Sequence, residues 1–292
     1  MNVIWSKYVQ GTKTLYYSRR LRFDDLFAEQ YKALFALEAD KPIKILEAGC
    51  GPGAFAGALH RWYPNAEITA VDRDSEFIRF AKEHESGAFF MESDVTALPF
   101  EDNTFDVTIS NTVAEHIEPS VFYGEQRRVL KPGGVCLVLS SRKGISVEPD
   151  CIAPNEFERQ FWNRVRQYDD SLEKYAVCQY PMNEAGLPAA MEKYGFSDIS
   201  TGFVTIDLTP DNPRFSPALA HAMIEAHRQS ALEGIQSVLD SMPEHFSDRE
   251  IDEMKGLANA KFDVRVRQYD RGEKQWDTNV SIIMVVRGMK RQ

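Results

Sequence analysis

The sequence predicts an α/β fold in which a doubly wound, mostly parallel sheet carries helices on both faces. Through the middle of the chain, short apolar runs alternate with amphipathic runs, and the loops between them are short. The first apolar run ends in a glycine-rich turn, Gly49 to Gly53, which is typical of a strand that turns into a helix beside a ligand. Three further segments fall outside this alternation.

Apolar runs predict the strands, and proline, glycine and capping residues separate them from the helices. Five strands are predicted at Lys44–Glu47, Glu67–Val71, Ala88–Glu92, Phe105–Ser110 and Val135–Ser141. The helices between them are predicted at Ala54–Trp62, from Asp74 to about Glu83, and at Pro119–Val129. A helix at Asn183–Tyr194 and two late strands, Ile199–Asp207 and Val280–Arg287, complete a sheet of seven strands.

Composition limits the classes of partner. The formal net charge of −10 disfavours a polyanion such as nucleic acid. The four cysteines have no zinc spacing, so no metal is expected. The apolar runs are too short to span a bilayer and the N-terminus lacks a secretory signal, so we expect a cytoplasmic protein without a membrane partner.

Gly49, Gly51 and Ala54 satisfy the pattern G-x-G-x-x-A at the end of the first strand. Asp72 ends the second predicted strand, where a carboxylate can accept both hydroxyl protons of a ribose. These features are shared by nicotinamide-dependent enzymes and methyltransferases, and by themselves they leave both open.

A longer ordered set of motifs favours one of the two. It consists of Ile45–Gly53, Asp72, Ser93–Val95 before Leu98–Phe100, Phe105–Val107 and Leu130–Gly134. This set, over roughly residues 43–141, resembles the class I S-adenosylmethionine-dependent methyltransferases of the type 11/25-like domain. The resemblance implies a Rossmann-like fold, S-adenosyl-L-methionine as cofactor, and the transfer of a methyl group (EC 2.1.1.-).

The resemblance also implies roles for individual residues. Glu47 and the backbone of Gly49 and Gly51 would face the methionine part of the cofactor, Asp72 would hold the ribose, and Arg73 would lie beside the adenine. Asp94 would bond the adenine amino group and the Val95 N–H a ring nitrogen, while the Asn111 backbone would lie near the methionine moiety. Cys50, Gly53 and Tyr16 complete the predicted cofactor-binding set. The alternative for Glu47 is a purely structural role as a strand-end cap, and for Asp94 it is a role as a helix or turn cap.

Residues that would meet the acceptor are harder to identify. His116 follows the fourth strand and is the candidate general base, or a substrate-binding residue. The stretch Tyr8–Phe23, with Tyr17, Arg19 and Arg20, is either a solvated arm or a flap against an anionic or aromatic small substrate, which Arg159, Arg164 and Arg166 could join. The segment Asn111–Ala114 lacks the Pro-Pro-aromatic pattern of nucleic-acid amino-methyltransferases, so a small-molecule acceptor is predicted.

With these assignments the chain divides into six predicted segments. The core consists of the cofactor-binding half (42–142), a helix and strand (183–207) and the last strand (280–292). The additions are an N-terminal helical arm (1–41, with a helix at Asp25–Leu37) and two helical insertions (143–182 and 208–279). Asn155 and the pair Ser247 and Glu250 predict helix N-caps in the insertions. The additions are either packing decoration or a lid over the carboxyl edge of the sheet.

Two alternatives to a small-molecule methyltransferase remain at this point. A non-catalytic protein that binds S-adenosylmethionine would carry the same motifs, because a fold does not prove turnover. A nicotinamide-dependent oxidoreductase would explain the glycines and Asp72, but not Asp94–Val95 or the turn at Lys131–Gly134.

Overall fold

The computed structural model describes residues 5–38, 40–169 and 177–291, and its chain divides into two compact units. The core unit consists of the described parts of Arg22–Lys143, Ala176–Ile206 and Ile282–Gln292. The helical unit consists of the described parts of Met1–Leu21, Gly144–Tyr175 and Asp207–Ser281.

The sheet has seven strands in the order β3-β2-β1-β4-β5-β7-β6. They are β1 (Lys44–Ala48), β2 (Glu67–Asp72), β3 (Ala88–Glu92), β4 (Phe105–Asn111), β5 (Leu130–Val147), β6 (Phe196–Leu208) and β7 (Thr278–Lys290). The pairs β1–β2, β2–β3, β1–β4 and β4–β5 are parallel. The order reverses between β1 and β4, and in open α/β sheets ligands bind at the carboxyl ends of the strands at this point. The predicted doubly wound, seven-stranded α/β fold is confirmed.

The last three strands are longer than the sequence predicted. β5 was expected at Val135–Ser141, but it begins at Leu130 and ends at Val147. Apart from Leu130, its buried residues lie in the middle of the strand, and the residues from Ser141 onward are exposed or half-buried. Because an exposed strand end carries no continuous apolar run, the pattern that located the middle of the strand could not locate its ends.

The helices of the core unit cover its sheet. They are α3 (Ala28–Phe35), α4 (Ala54–Trp62), α5 (Ser75–His84), α6 (Pro119–Val129) and α8 (Gly186–Lys193). The predicted bounds of α4 and α6 are confirmed. The single helix predicted at Asp25–Leu37 is wrong in detail, because Asp25–Phe27 is a 3-10 turn and α3 ends where Ala36 adopts a left-handed φ of 48°.

An aromatic cluster joins the segment after Arg22 to α4. Phe23 stacks on Phe55 with ring centroids 4.0 Å apart, and Tyr31 stacks on Trp62 at 5.3 Å. Phe23, Tyr31 and Phe35 are fully buried. Large aromatic side chains contribute much of the apolar surface removed from water in a core, so this segment is an integral part of the core unit.

The helical unit contains α1 (Trp5–Tyr8), α7 (Glu156–Tyr168), α9 (Pro217–Ser241), α10 (Asp248–Asp270) and α2 (Thr12–Arg22) up to Leu21. Its main apolar cluster combines α7, α9 and α10 through side chains that include Phe161, Ile235 and Met254. Both predicted N-caps are confirmed as reciprocal capping boxes, Asn155 with Glu158 and Ser247 with Glu250. None of the described helices combines the length and the apolar character that a membrane span requires.

Candidate functional site

The loop from Gly49 to Gly53 joins β1 to α4 at the point where the strand order reverses. Gly49, Gly51 and Gly53 all have a positive φ, which L-residues with a side chain rarely adopt. At Gly49 (φ 78°) an added Cβ would lie 2.5 Å from Cγ2 of Val113, in the loop after β4. The backbone of the loop therefore approaches the loop after β4 more closely than any side chain would allow.

The N–H groups of this loop are mostly used within the protein. The N–H groups of Gly49 and Cys50 both donate to the carbonyl oxygen of Val71, at 2.8 and 2.9 Å. The N–H of Gly51 donates to Oδ2 of Asp72 at 2.8 Å. These bonds fix the loop to the carboxyl end of β2 and leave few of its N–H groups for an anionic ligand.

Asp72 closes the other side of the loop. Its Oδ1 accepts the N–H of Asp74 at 2.9 Å, and Asp74 in turn caps α5. Burial raises the pKa of Asp72 above its ordinary value, although both N–H groups oppose this shift. Each carboxylate oxygen keeps a second acceptor position, so Asp72 can still accept hydroxyl protons.

Glu47 lies on β1 with only 1% of its surface exposed, one residue before the end of the strand. The negative charges of Glu47 and Asp72 act with burial to raise the pKa of the Cys50 thiol well above its ordinary value. Burial is the larger cause. The loop is thus flanked by two carboxylates, and its electrostatic environment favours a cationic ligand over an anionic one.

Asn111 ends β4 at the same edge of the sheet and is buried. Its Oδ1 is buried and finds no hydrogen-bond partner among the described residues, which is costly unless a ligand supplies one. The Asn111 carbonyl accepts the hydroxyl of Thr112 at 2.7 Å. Thr112 has a left-handed φ of 54°, so the chain turns sharply as it leaves the strand.

Asp94 and Val95 occupy a turn after β3. Oδ1 of Asp94 accepts both the N–H and the hydroxyl of Thr96, at 2.8 and 2.7 Å. This is the turn-cap role that the sequence allowed as an alternative, and it leaves Oδ2 for a ligand. Val95 packs against the apolar cluster of Leu98 and Phe105.

His116 lies in a 3-10 turn after β4, at the same edge as the loop. Its Nδ1 accepts the N–H of Cys178 at 3.0 Å. Burial, and secondly the positive charge of Arg73, lower the pKa of His116 to about 4. Nothing in the sequence around Cys178 indicated this contact, because the two residues are distant in the chain and a backbone donor leaves no signature in sequence.

The remaining predicted residues belong to the helical unit. Tyr16 is buried on α2, Tyr17 is exposed, and Arg20 donates to the Tyr16 hydroxyl at 3.3 Å. Arg19 lies on the same helix and is half-buried. The roles of these four residues stay predictions. Although an N-terminal helical arm was predicted, no helical periodicity marks this stretch, since its basic and hydroxyl residues outnumber its apolar ones.

Three arginines of the predicted insertion at 143–182 have partners within the helical unit. Arg164 forms an ion pair with Glu250 at 2.6 Å, and Arg159 forms one with Glu156 at 3.0 Å. Arg166 donates to Asn163. Within the described residues, no group of three or more His, Cys, Asp or Glu side chains is arranged to hold a metal ion.

Comparison with known families identifies the segment that carries this site. A family model described as a methyltransferase domain matches residues 46–138, from β1 into β5. Over these residues the chain is similar to a methyltransferase domain. Glu47, the glycine loop, Asp72, Asp94 and Asn111 all lie within the matched residues of this methyltransferase domain.

Curated relatives match the same region. A fatty-acid O-methyltransferase of Mycolicibacterium smegmatis is 37% identical over 103 residues, which are 34% of this chain and 37% of that protein. A malonyl-[acyl-carrier protein] O-methyltransferase of Herminiimonas arsenicoxydans is 34% identical over 120 residues, 40% of this chain and 45% of that protein. The chain thus spans less than half the length of these relatives.

A solved structure resembles the chain beyond the methyltransferase domain. Phosphoethanolamine N-methyltransferase 2 of Haemonchus contortus, in complex with S-adenosyl-L-methionine, superposes with a TM-score of 0.51 at 18% identity. The match covers 99% of this chain and 59% of that one. At this identity the likeness establishes the fold.

Proposed function

We propose that the protein is an S-adenosylmethionine-dependent methyltransferase that acts on a small-molecule acceptor. The observation that carries this proposal is the pair of carboxylates, Glu47 and Asp72, that flanks a glycine loop whose N–H groups are largely used within the protein. The family match over residues 46–138 supports the same assignment.

The residues present fit this cofactor. Because Gly49 packs against Val113 without a Cβ, the loop backbone can come close to the end of β4, where the cofactor would lie. The buried Oδ1 of Asn111 offers an acceptor that no described residue uses. The two carboxylates suit a ligand that carries ribose hydroxyls together with ammonium and sulfonium charges.

The same features argue against a dinucleotide. A pyrophosphate at a glycine loop is held by free N–H groups and by the positive end of the following helix. Here the N–H of Gly51 is bonded to the carboxylate of Asp72, and two others are bonded to Val71. A pyrophosphate would also meet the negative charges of Glu47 and Asp72. A nicotinamide-dependent oxidoreductase is therefore the weaker alternative.

In the proposed site Asp72 would hold the ribose, while Glu47 and the backbone of Gly49 and Gly51 would face the methionine part. Asp94 would use its free Oδ2 for the adenine. When bound, S-adenosylmethionine supplies a methyl group on a sulfonium centre, so the hard chemistry belongs to the cofactor. The protein's contribution is to hold and orient the acceptor and to exclude water, which is worth about 7–11 kcal/mol in well-ordered cases.

The cofactor class can be tested by calorimetric titration of the full chain. We expect S-adenosylmethionine and S-adenosylhomocysteine to bind and NADH to give no heat at the same concentrations. Binding of NADH without binding of S-adenosylmethionine would overturn the proposal. Binding of S-adenosylmethionine without formation of S-adenosylhomocysteine on any acceptor would favour the non-catalytic alternative.

A further inference from the structure

Arg22 carries a charge that no described residue balances. It is half-buried, and its Nε is out of contact with solvent and has no hydrogen-bond partner within the described residues. No carboxylate in the described part of the chain forms an ion pair with it. Burial lowers the pKa of Arg22, but an arginine stays protonated at neutral pH. Because removing a charge from water without a partner is costly, a side chain in this state is suited to bind an anion.

Aromatic packing places the backbone of Arg22 beside the start of α4, the helix that follows the glycine loop. Phe23 comes directly after Arg22 and stacks on Phe55 with ring centroids 4.0 Å apart. Phe55 is the second residue of α4, two positions after Gly53, where the loop ends. The hydroxyl of Tyr31 donates to the carbonyl oxygen of Arg22 at 3.1 Å. Since Phe23 and Tyr31 are fully buried, these contacts fix Arg22 next to the loop within the core unit.

The glycine loop itself offers no donor to an anion. The N–H of Gly53 donates to the carbonyl oxygen of Cys50 at 3.2 Å, and Pro52 has no N–H. The other three N–H groups, from Gly49 to Gly51, donate to the end of β2. Every N–H of the loop is therefore used within the protein, and an anionic group beside it must find its donors elsewhere.

The proposed cofactor brings such an anionic group. The methionine part of S-adenosylmethionine carries an ammonium group and a carboxylate at the same end. Glu47 and Asp72 beside the loop attract the ammonium, but their negative charges repel the carboxylate. The carboxylate therefore needs a cation that neither the loop nor these two residues supply, and Arg22 next to the loop is a cation without an anion.

We propose that the guanidinium of Arg22 binds the carboxylate of the methionine part of S-adenosylmethionine. This inference rests on the proposed methyltransferase function and adds the residue that holds the anionic end of the cofactor. A guanidinium presents its N–H donors in a planar fork that matches the two oxygens of a carboxylate. Binding would also give the Arg22 charge the partner that it lacks within the described residues.

The first test varies the ligand and leaves the chain unchanged. Calorimetric titration compares S-adenosylhomocysteine with decarboxylated S-adenosylhomocysteine, which keeps the adenosine, the sulfur and the amino group and lacks only the carboxylate. We expect the decarboxylated ligand to bind about 10- to 100-fold more weakly, as for the loss of a charged hydrogen bond. Equal affinity for the two ligands would overturn the proposal.

The second test varies Arg22 against the same two ligands. Arg22→Gln should bind S-adenosylhomocysteine about 10- to 100-fold more weakly and the decarboxylated ligand as the unchanged chain does. Arg22→Lys keeps a positive charge and should lose less than Arg22→Gln. An equal loss for both ligands in Arg22→Gln would mean that Arg22 acts on the shape of the site and not on the carboxylate, which contradicts the proposal.

The stability of the ligand-free chain separates a binding role from a structural one. Arg22→Met removes a charge that has no partner and keeps an unbranched apolar side chain, so this variant should unfold at the same urea concentration as the unchanged chain or at a higher one. A lower urea midpoint would assign Arg22 to the stability of the fold and overturn the proposal. Arg79→Gln, a change at an exposed arginine of α5 that pairs with Glu76, is the control and should alter neither the midpoint nor the affinity for either ligand.

Failure of this proposal and failure of the proposed function give different results. If neither S-adenosylhomocysteine nor its decarboxylated form binds the unchanged chain, the proposed function fails. If S-adenosylhomocysteine binds but Arg22→Gln retains its full affinity, Arg22 does not hold the carboxylate and the methyltransferase function stands.

Discussion

Single residues at the carboxyl edge of the sheet determine how closely its loops approach one another, and Gly49 is the clearest case. Its positive φ and its contact with Val113 both require the absence of a Cβ. The glycine pattern in the sequence predicted a tight turn here. It could not predict the contact with Val113, since that contact depends on how the loop after β4 lies in three dimensions.

Gly49→Ala is expected to lower the free energy of unfolding by about 1–2 kcal/mol from backbone strain alone, with the Val113 overlap in addition. It should also weaken cofactor binding. Gly124→Ala is the matched control, because Gly124 lies inside α6 and an added Cβ there meets nothing within 4 Å. The free energy of unfolding of Gly124→Ala should rise by about 0.5–1 kcal/mol. Urea unfolding measures both, and equal effects would contradict this account of the loop.

His116 makes the stability depend on pH. Its pKa is lowered from 6.5 to about 4, so between these values the unfolded chain binds more protons than the folded one. Its contribution to the free energy of unfolding therefore falls as the pH drops from 6.5 to 4, and does not change further below that. Urea unfolding at pH 4, 5, 6 and 7 should show a shallower slope for His116→Gln than for the unchanged chain. Identical slopes would refute a lowered pKa.

At the scale of the element, the sequence was most informative where a local signal decides the structure. Both capping boxes, and the bounds of α4, α6 and β3, follow from residues within a few positions of each helix or strand end. α2 was not predicted, because its stability depends on tertiary contacts. Its Thr14 N–H donates to the carboxylate of Glu233 on α9, 219 residues away in the chain.

Ser247→Ala tests the cap of α10. The Ser247 side chain accepts the N–H of Glu250, whose carboxylate also pairs with Arg164 of α7. Loss of the hydroxyl should lower the free energy of unfolding by about 1 kcal/mol. Ser247→Asn keeps an N-cap acceptor, so its free energy of unfolding should fall much less. If the two variants unfold at the same urea concentration, the cap contributes nothing measurable.

At the scale of the whole molecule, the seven-stranded doubly wound sheet was predictable, because strand-like and helix-like runs alternate through the middle of the chain. The roles of the cofactor-site residues stay predictions. The helical unit was predicted only as helices. Its internal organisation depends on contacts such as that of Arg265, which is fully buried between Asp211 and Asp277. Such pairs join residues far apart in the chain and leave no local pattern.

This buried ion cluster gives a prediction for the helical unit. Asp277→Ala removes one of the two carboxylates that pair with the buried Arg265 guanidinium. This change should lower the free energy of unfolding by about 3–5 kcal/mol. Arg79→Ala, at an exposed pair on α5, should leave the free energy of unfolding nearly unchanged, because solvent screens exposed ion pairs. Thermal and urea unfolding of both variants provide the comparison. A small effect of Asp277→Ala would mean that solvent reaches the cluster.

The placement of the cofactor site is tested most directly by two substitutions on one strand. Asp72 lies at the carboxyl end of β2 and Glu67 at its exposed amino end. We predict that Asp72→Asn weakens S-adenosylmethionine binding at least 10-fold in calorimetric titration, because charged hydrogen bonds contribute about 1.5–3 kcal/mol each. Glu67→Gln should bind like the unchanged chain. Unchanged affinity in Asp72→Asn, or an equal loss in both variants, would contradict a cofactor site at the carboxyl edge of the sheet.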